Sequence, residues 1–453
     1  MANKALEGPW KFMVKEIMKI LPHFSNENLI KMTILAEKLT SDEEMKKEAR
    51  SLRRFFEQGH PSIEMARQII LRLSPRCRDR LIRNFFLNAS LVGAYRREET
   101  KKDLGYDTPF FLVISPTTRC NLKCPGCYAG EYDQDSELSF ELFDRVLGEA
   151  EEMGLFFATI SGGEPFIHKD LMEIFKQHDQ TYFQVYTNGT LIDHKMASGL
   201  SKLGNVAPVI SIEGFEKETD ARRGKGVFRK INQAMDGLKQ EGIVFGASIT
   251  VTRENTELVS SEDLVDYLID KGAMVIWYFQ YIPIGRCPQM ELMPTPEQRD
   301  ALRRRINDLR SRKPIFIGDF WNDGPHVNGC IAGGNRYFHI NSNGDVEPCV
   351  FTHFAVDNIK QKSLKQALTS DFFRMIRQRQ PYRKNLLTPC MIIDAPEVLR
   401  EVVHKCHAYP THPGAETIIT TIAPDIDRYS EAYHKIADPV WEQEFASKFC
   451  AQA

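Results

Sequence analysis

No uninterrupted apolar stretch in this sequence approaches the roughly 20 residues that a helix needs to cross a bilayer. Nor is there a charged leader followed by an apolar core and a small-residue cleavage site, so the expected compartment is the cytoplasm. Ten cysteines in 453 residues are too few for a disulfide scaffold, and in a reducing compartment clustered cysteines more often bind metal or do redox chemistry. Neither sign of charge dominates, the formal net charge being −2. No aromatic-basic motif for bases is present, which argues against nucleic acid as a partner. With 42% hydrophobic and 26% charged residues, the chain is neither disordered nor fibrous, and it is long enough for two or three packed domains.

Three of the cysteines fall within eight residues, in Thr118-Arg119-Cys120-Asn121-Leu122-Lys123-Cys124-Pro125-Gly126-Cys127-Tyr128, directly after the apolar run Phe110 to Ile114. Three thiolates on one short loop make a soft-metal site. A structural zinc normally takes four protein ligands, whereas an iron–sulfur cluster supplied with three thiolates keeps one iron free. A zinc knuckle is the alternative reading of the triplet taken alone. The Cys-x3-Cys-x2-Cys spacing resembles the cluster loop of the radical S-adenosylmethionine (SAM) enzymes. That resemblance implies a [4Fe–4S] cluster on Cys120, Cys124 and Cys127, with SAM chelating its fourth iron.

From residue 106 short apolar runs alternate with helical patterns, the signature of βα units in a parallel sheet. The expected strands are Phe110 to Ser115, Phe156 to Ser161, Tyr182 to Thr187, Val206 to Ile212, Val244 to Val251 and Val275 to Tyr281. The clearest helix runs from Ser139, a good N-cap, to Met153, with Leu142, Phe143, Val146, Leu147 and Ala150 on one face. Six units make an α/β fold two short of a closed eight-fold barrel, and the resemblance independently implies a partial (β/α)6 TIM barrel. In such barrels the chemistry sits on the loops after the strands.

Those loops carry unusual residues. Gly162-Gly163-Glu164-Pro165 follows the second strand, its glycines allowing close backbone approach to a ligand and Glu164 offering an acceptor for an ammonium group. The motif resembles the one with which the family holds the SAM amino group. By the same resemblance Asn188 and Ser211 line the ribose and carboxylate of SAM. Within Asp220-Ala221-Arg222-Arg223-Gly224, Arg223 is the residue expected to pair with that carboxylate, a role that suits a guanidinium fork. There are two departures. The position before the third cysteine, often aromatic in the family, is Gly126, and the aspartate usual after the fourth strand is Glu213.

Residues 1–105 form a distinct helical segment with 21 lysines and arginines against 14 acidic residues, a balance of +7 that leaves −9 for the rest. Apolar periodicity appears in Phe12, Ile17, Ile20 and Leu21, from Leu29 to Leu39, and in Met65, Ile69, Ile70 and Leu73, with Pro22, Pro61 and Pro75 as punctuation. Arginines 72, 76, 78, 80 and 83 beside Phe85-Phe86-Leu87 suit either a cap packed on the barrel or peripheral contact with an anionic membrane. Beyond the barrel (106–320), residues 321–410 hold Cys330, Cys349, Cys390 and Cys406, and a hairpin is expected about Asn343-Gly344. This segment resembles the SPASM and twitch extensions, which implies one auxiliary [4Fe–4S] cluster on Cys330, Cys349 and Cys390 with Cys406 as fourth ligand. Cys77, Cys287 and Cys450 read as structural. Residues 411–453 read as a tail whose first part, with Pro410, His412, Pro413 and Gly414, is a surface loop.

The resemblance implies a radical SAM enzyme fed by a donor such as flavodoxin or ferredoxin. The favoured substrate class is a lipid or isoprenoid, from the basic helices and similarity to the hopanoid branch. The alternatives are maturation of a ribosomal peptide or protein and, in another class, a non-catalytic zinc or iron–sulfur module.

Overall fold

The computed structural model describes residues 25–39, 46, 50, 53, 54, 56–59, 61–133 and 135–447. Phe12, Ile17, Ile20, Leu21, Pro22 and Cys450 lie outside the described residues. The first described part is helical: α1 (Asn26–Leu39), α2 (Pro61–Arg72), α3 (Pro75–Arg80), a wide π-type helical stretch (Leu81–Val92) and α4 (Gly93–Leu104). Pro61 and Pro75 each begin a helix, where the missing N–H is no loss.

All six expected parallel strands are present: β1 (Leu112–Ile114), β2 (Phe157–Ile160), β3 (Tyr182–Thr187), β4 (Val206–Ser211), β5 (Gly246–Val251) and β6 (Val275–Gln280). They lie side by side in chain order. The helices between and after them are α5 (Phe140–Glu152), α6 (Leu171–Gln177), α7 (His194–Leu203), α8 (Glu216–Arg223), α9 (Val227–Gln240), α10 (Glu262–Lys271) and α11 (Pro296–Arg312). The Ser139 hydroxyl accepts the Leu142 amide at 3.2 Å, starting α5 where the sequence places it, and Phe143, Val146, Leu147 and Ala150 are buried on its inner face.

The sheet extends beyond six strands at both edges. β7 (Phe316–Asp319) pairs in parallel with β6; four residues with a glycine and an exposed phenylalanine gave no recognisable strand pattern. At the other edge β8 (His339–Ile340) pairs in parallel with β1 and antiparallel with β9 (Val346–Glu347). The expected Asn343-Gly344 hairpin is thus real, with Gly344 at φ +88°, but it belongs to the barrel sheet. β8 and β9 join residues 321–410 to the core sheet. Besides short helical turns, the chain continues with β10 (Phe354–Ala355), α12 (Asp371–Arg379), α13 (Pro396–Lys405), β11 (Tyr409–Pro410) and α14 (Ala423–Glu444). α14 is no loose tail, because Tyr433, Ala437 and Trp441 are buried.

The N-terminal helices pack against the starts of the barrel strands. Phe85 meets Phe157 at 5.3 Å and Tyr182 at 5.9 Å between ring centroids, both residues opening their strands. Arg80 is buried, its guanidinium 2.7 Å from the Asp179 carboxylate, and the Asn84 amide donates to the Asp179 and Thr181 carbonyls. Of the rest of the basic stretch, Arg72, Arg76 and Arg83 stay exposed and Arg78 is half-buried. Among the described residues no helix is long and apolar enough to cross a membrane.

Candidate active site

A cavity of about 690 Å³ runs through the barrel. Cys120, Cys124 and Cys127 line one end, beyond the C-terminal ends of the strands, and Met65, Ile69 and Phe85 line the other. Six-residue β3 alone spans about 20 Å, so the chamber runs along the strands from one end of the barrel to the other. Barrels of this size are usually filled by side chains. Here rings such as Phe157, Trp277 and Phe279 form the walls of an open, largely apolar passage.

Gly162 and Gly163 tie the second loop to the cysteine loop. Gly163 N–H donates to the Thr117 carbonyl at 2.9 Å and Glu164 N–H to that of Arg119 at 2.8 Å. A Cβ on Gly162 would overlap the Thr117 carbonyl oxygen, and one on Gly163 that of Arg119. These glycines therefore permit a close approach of protein backbone, and both also line the chamber. Glu164 is likewise committed inward. It is fully buried, and its carboxylate accepts from Thr187 Oγ1 (2.7 Å), Asn188 N (2.7 Å) and Phe166 N (3.2 Å). Burial pushes its carboxyl up in pKa while those hydrogen bonds pull it down. Glu164 and Pro165, which starts a short turn, stand behind the chamber wall.

Asn188 lines the chamber and reaches the cluster loop: its amide donates to Asn121 Oδ1 at 2.8 Å and points at the Cys120 sulfur at 3.9 Å. Ser211, at the end of β4, also lines the chamber. Arg222 and Arg223 do so together, both held by Glu213, with Arg222 Nη1 at 2.6 Å and Arg223 Nε and Nη2 at 2.9 and 2.5 Å from the same oxygen. The extra methylene of Glu213 thus reaches an arginine pair, and its other oxygen, Oε2, is buried without a partner.

Two contacts escaped the sequence because they join distant segments. A Cβ on Gly126, which sits at φ +64°, would lie 2.5 Å from the Tyr281 ring. The space an aromatic residue 126 would need is filled by Tyr281 from beyond β6. Gly126→Phe should therefore displace Tyr281 and lower both bound iron and SAM affinity, read by iron analysis and titration calorimetry; normal values for both would show that the ring packs there incidentally. The second contact is Arg286, whose N–H donates to the Cys127 carbonyl at 3.0 Å while its guanidinium reaches the carbonyls of Cys124 and Gly130 at 3.4 and 3.2 Å.

Residues 114–261 match the family profile described as the Radical SAM superfamily, and residues 330–391 match the SPASM iron–sulfur cluster-binding domain. The chain is 30% identical over 304 residues to mycofactocin maturase MftC of Mycolicibacterium smegmatis, covering 61% of this chain and 74% of that one. The chain belongs to the radical SAM superfamily. It is also 26% identical over 307 residues to PqqA peptide cyclase of Granulibacter bethesdensis (64% and 81% covered). To Fe-coproporphyrin III synthase of Methanosarcina barkeri it is 29% identical over 229 residues, 48% of this chain and only 57% of that relative. The fold is like that of Streptococcus suis SuiB bound to S-adenosylmethionine, with TM-score 0.56 at 19% identity over 66% of this chain and 76% of that one.

This radical SAM protein is an enzyme whose cofactors are SAM, a [4Fe–4S] cluster and SPASM-region iron–sulfur, and the reading as a non-catalytic zinc module falls. The residues fit those groups. The three barrel thiols line one end of the chamber together, Cys120 and Cys127 each within electrostatic reach of Cys124. Backbone N–H groups two residues on already point at sulfur, Leu122 to Cys120 at 3.4 Å, Phe351 to Cys349 at 3.5 Å and Ile392 to Cys390 at 3.3 Å. Such donors are matched to thiolates, yet burial pushes the metal-free thiols of Cys120 and Cys349 up to about 11 and that of Cys390 to about 12. Cluster assembly therefore expels protons.

In the SPASM region Cys330 lies within electrostatic reach of both Cys349 and Cys390. Cys406 does not join them: it caps the end of α13 beside Asp371. Cys77 is buried as expected, whereas Cys287 is exposed. His412 is buried rather than on a surface loop, its Nε2 2.7 Å from His353 Nδ1.

Proposed function

We propose that Cys120, Cys124 and Cys127 hold the SAM-chelated cluster at one end of the chamber and that hydrogen is removed from an unactivated carbon held in its interior. The observation that carries this reading is one continuous cavity joining the three thiols, Asn188, Ser211 and the arginine pair to the apolar passage. When bound and reduced, the cluster supplies one electron to the SAM sulfonium, releasing methionine and a 5′-deoxyadenosyl radical that takes a hydrogen atom from the substrate. The chain orients and excludes. Glu213 presets Arg222 and Arg223 as a fork for the SAM carboxylate, Asn188 braces the cluster loop, and Tyr281 offers a ring face to the adenine in place of residue 126. Apolar walls keep water and competing hydrogen donors out. Cys330, Cys349 and Cys390 hold one auxiliary cluster without Cys406, and flavodoxin or ferredoxin is the expected electron donor.

Glu164 acts on SAM through the loops it joins. Removing one partner of a buried charged hydrogen bond costs roughly 2–5 kcal/mol, so Glu164→Ala should weaken SAM binding at least tenfold with iron content unchanged. Normal affinity in a titration would take Glu164 out of the site.

A peptide or protein is the substrate class best supported, since one relative is a PqqA peptide cyclase and SuiB, which shares the fold, has been crystallised with its precursor peptide SuiA. One observation favours a second reading, an alkyl or isoprenoid chain: the passage is open along the whole barrel and lined mainly by rings and aliphatic groups down to the exposed Phe86. Exposed Arg72, Arg76 and Arg83 around that end would suit an anionic surface. Deuterium transfer separates the two. Reconstituted protein with dithionite and SAM is given either a perdeuterated peptide pool or anionic vesicles with perdeuterated acyl chains. Deuterium in 5′-deoxyadenosine from the peptides alone supports the first reading, from the vesicles the second, and from neither sinks both.

A further inference from the structure

Tyr337 stands between the chamber and the auxiliary cysteines. Its ring is part of the chamber wall, stacked on Phe111 with centroids 5.1 Å apart at 16° and edge-on to Phe320 at 6.2 Å. Its hydroxyl points away from the chamber and lies 3.0 Å from the Cys349 sulfur. The residue is 1% exposed, so neighbouring rings fix the phenol and aim its oxygen at that one sulfur. The Phe351 amide, at a longer 3.5 Å, and the Thr352 amide also donate to that sulfur.

We infer that Tyr337 is a positioning residue for the auxiliary cluster, raising its reduction potential by donating a hydrogen bond to the Cys349 thiolate. This rests on the assignment of Cys330, Cys349 and Cys390 to that cluster. A phenol keeps its proton when buried, and a thiolate bound to iron can only accept, so the direction of the bond is settled by chemistry. Hydrogen bonds to cluster sulfurs draw off electron density and favour the reduced state. An easily reduced cluster behind the chamber wall is suited to accept an electron from a neighbour in the chamber. The second buried phenol nearby, Tyr382, is differently engaged: its oxygen accepts from Gln380 Nε2 at 3.3 Å.

The test uses the full chain with Cys120, Cys124 and Cys127 replaced by alanine, so that only the auxiliary cluster contributes to a redox titration followed by electron paramagnetic resonance. Tyr337→Phe should keep about four irons per chain. At the parent's midpoint its reduced-to-oxidised ratio should fall roughly tenfold, a shift of about 59 mV for a one-electron couple. Tyr382→Phe should leave the midpoint in place. An unchanged or raised midpoint in Tyr337→Phe overturns the inference, and so does loss of its iron, which would make the hydroxyl a requirement for holding the cluster. A parent without iron would instead remove the cluster assignment on which the inference rests.

Discussion

Alanine at Cys120, Cys124 and Cys127 together should abolish 5′-deoxyadenosine formation and leave about four irons per chain on the SPASM-region cysteines. The two halves of this result depend on different thiols. The barrel triplet is the end of the chamber that the SAM-side residues Asn188, Arg222 and Arg223 share, so without it SAM has no iron to chelate and its C5′–S bond receives no electron. Cys330, Cys349 and Cys390 form a separate group, Cys349 buried and the other two half-buried, with backbone donors to Cys349 and Cys390. Anaerobic reconstitution followed by iron analysis and chromatography for 5′-deoxyadenosine reads both. Full SAM cleavage in the triple variant would refute the assignment of the barrel triplet. Complete loss of iron, with the C-terminal part still folded, would mean that Cys330, Cys349 and Cys390 are structural.

Asp394→Ala should destabilise the protein by about 3–5 kcal/mol, the cost of leaving a buried charge without its partner, and should also empty the auxiliary site. Arg299 on α11 and Asp394 are both completely buried, joined by contacts of 2.6 and 3.2 Å, and the guanidinium lies 3.7 Å over the Tyr433 ring of α14. The carboxylate oxygen Oδ2 also accepts the Cys390 N–H at 3.0 Å. One ion pair thus fixes a barrel helix, the C-terminal helix and a proposed cluster ligand. Arg299→Met paired with Asp394→Leu should recover much of the stability, because the desolvation penalty disappears with the charges, but not the iron. Denaturant unfolding of the single and double variants isolates the coupling; a single-variant cost under about 1 kcal/mol would show that water reaches the pair.

The strands were legible because each is a short run rich in apolar residues, every position buried or half-buried, set between amphipathic helices. The cysteine triplet was legible because its ligands are neighbours in the chain, and so was the Asn343-Gly344 hairpin, set by its own turn. What escaped depends on contacts between remote segments. Arg299 and Asp394 are 95 residues apart, Tyr281 fills space beside Gly126, and Glu213 became meaningful only with both arginines in view. The bracing part that Glu164 plays escaped for a related reason. A carboxylate on a ligand-side loop can face the ligand or brace the loop, and only its partners Thr187, Asn188 and Phe166 distinguish the two. Cys406 was grouped with the other cysteines by proximity in sequence, whereas α13 carries it to its far end.

β8 supplies one side of β1. The N–H groups of Val113 and Ser115 donate to the carbonyls of Phe338 and Ile340 at 2.9 and 2.8 Å. A chain cut after residue 320 would leave that row of donors and acceptors bare, a ready template for recruiting a strand from another copy. The C-terminal third therefore guards the core against aggregation as well as carrying cysteines, and a truncated barrel would precipitate before the loss of its second redox centre could be measured.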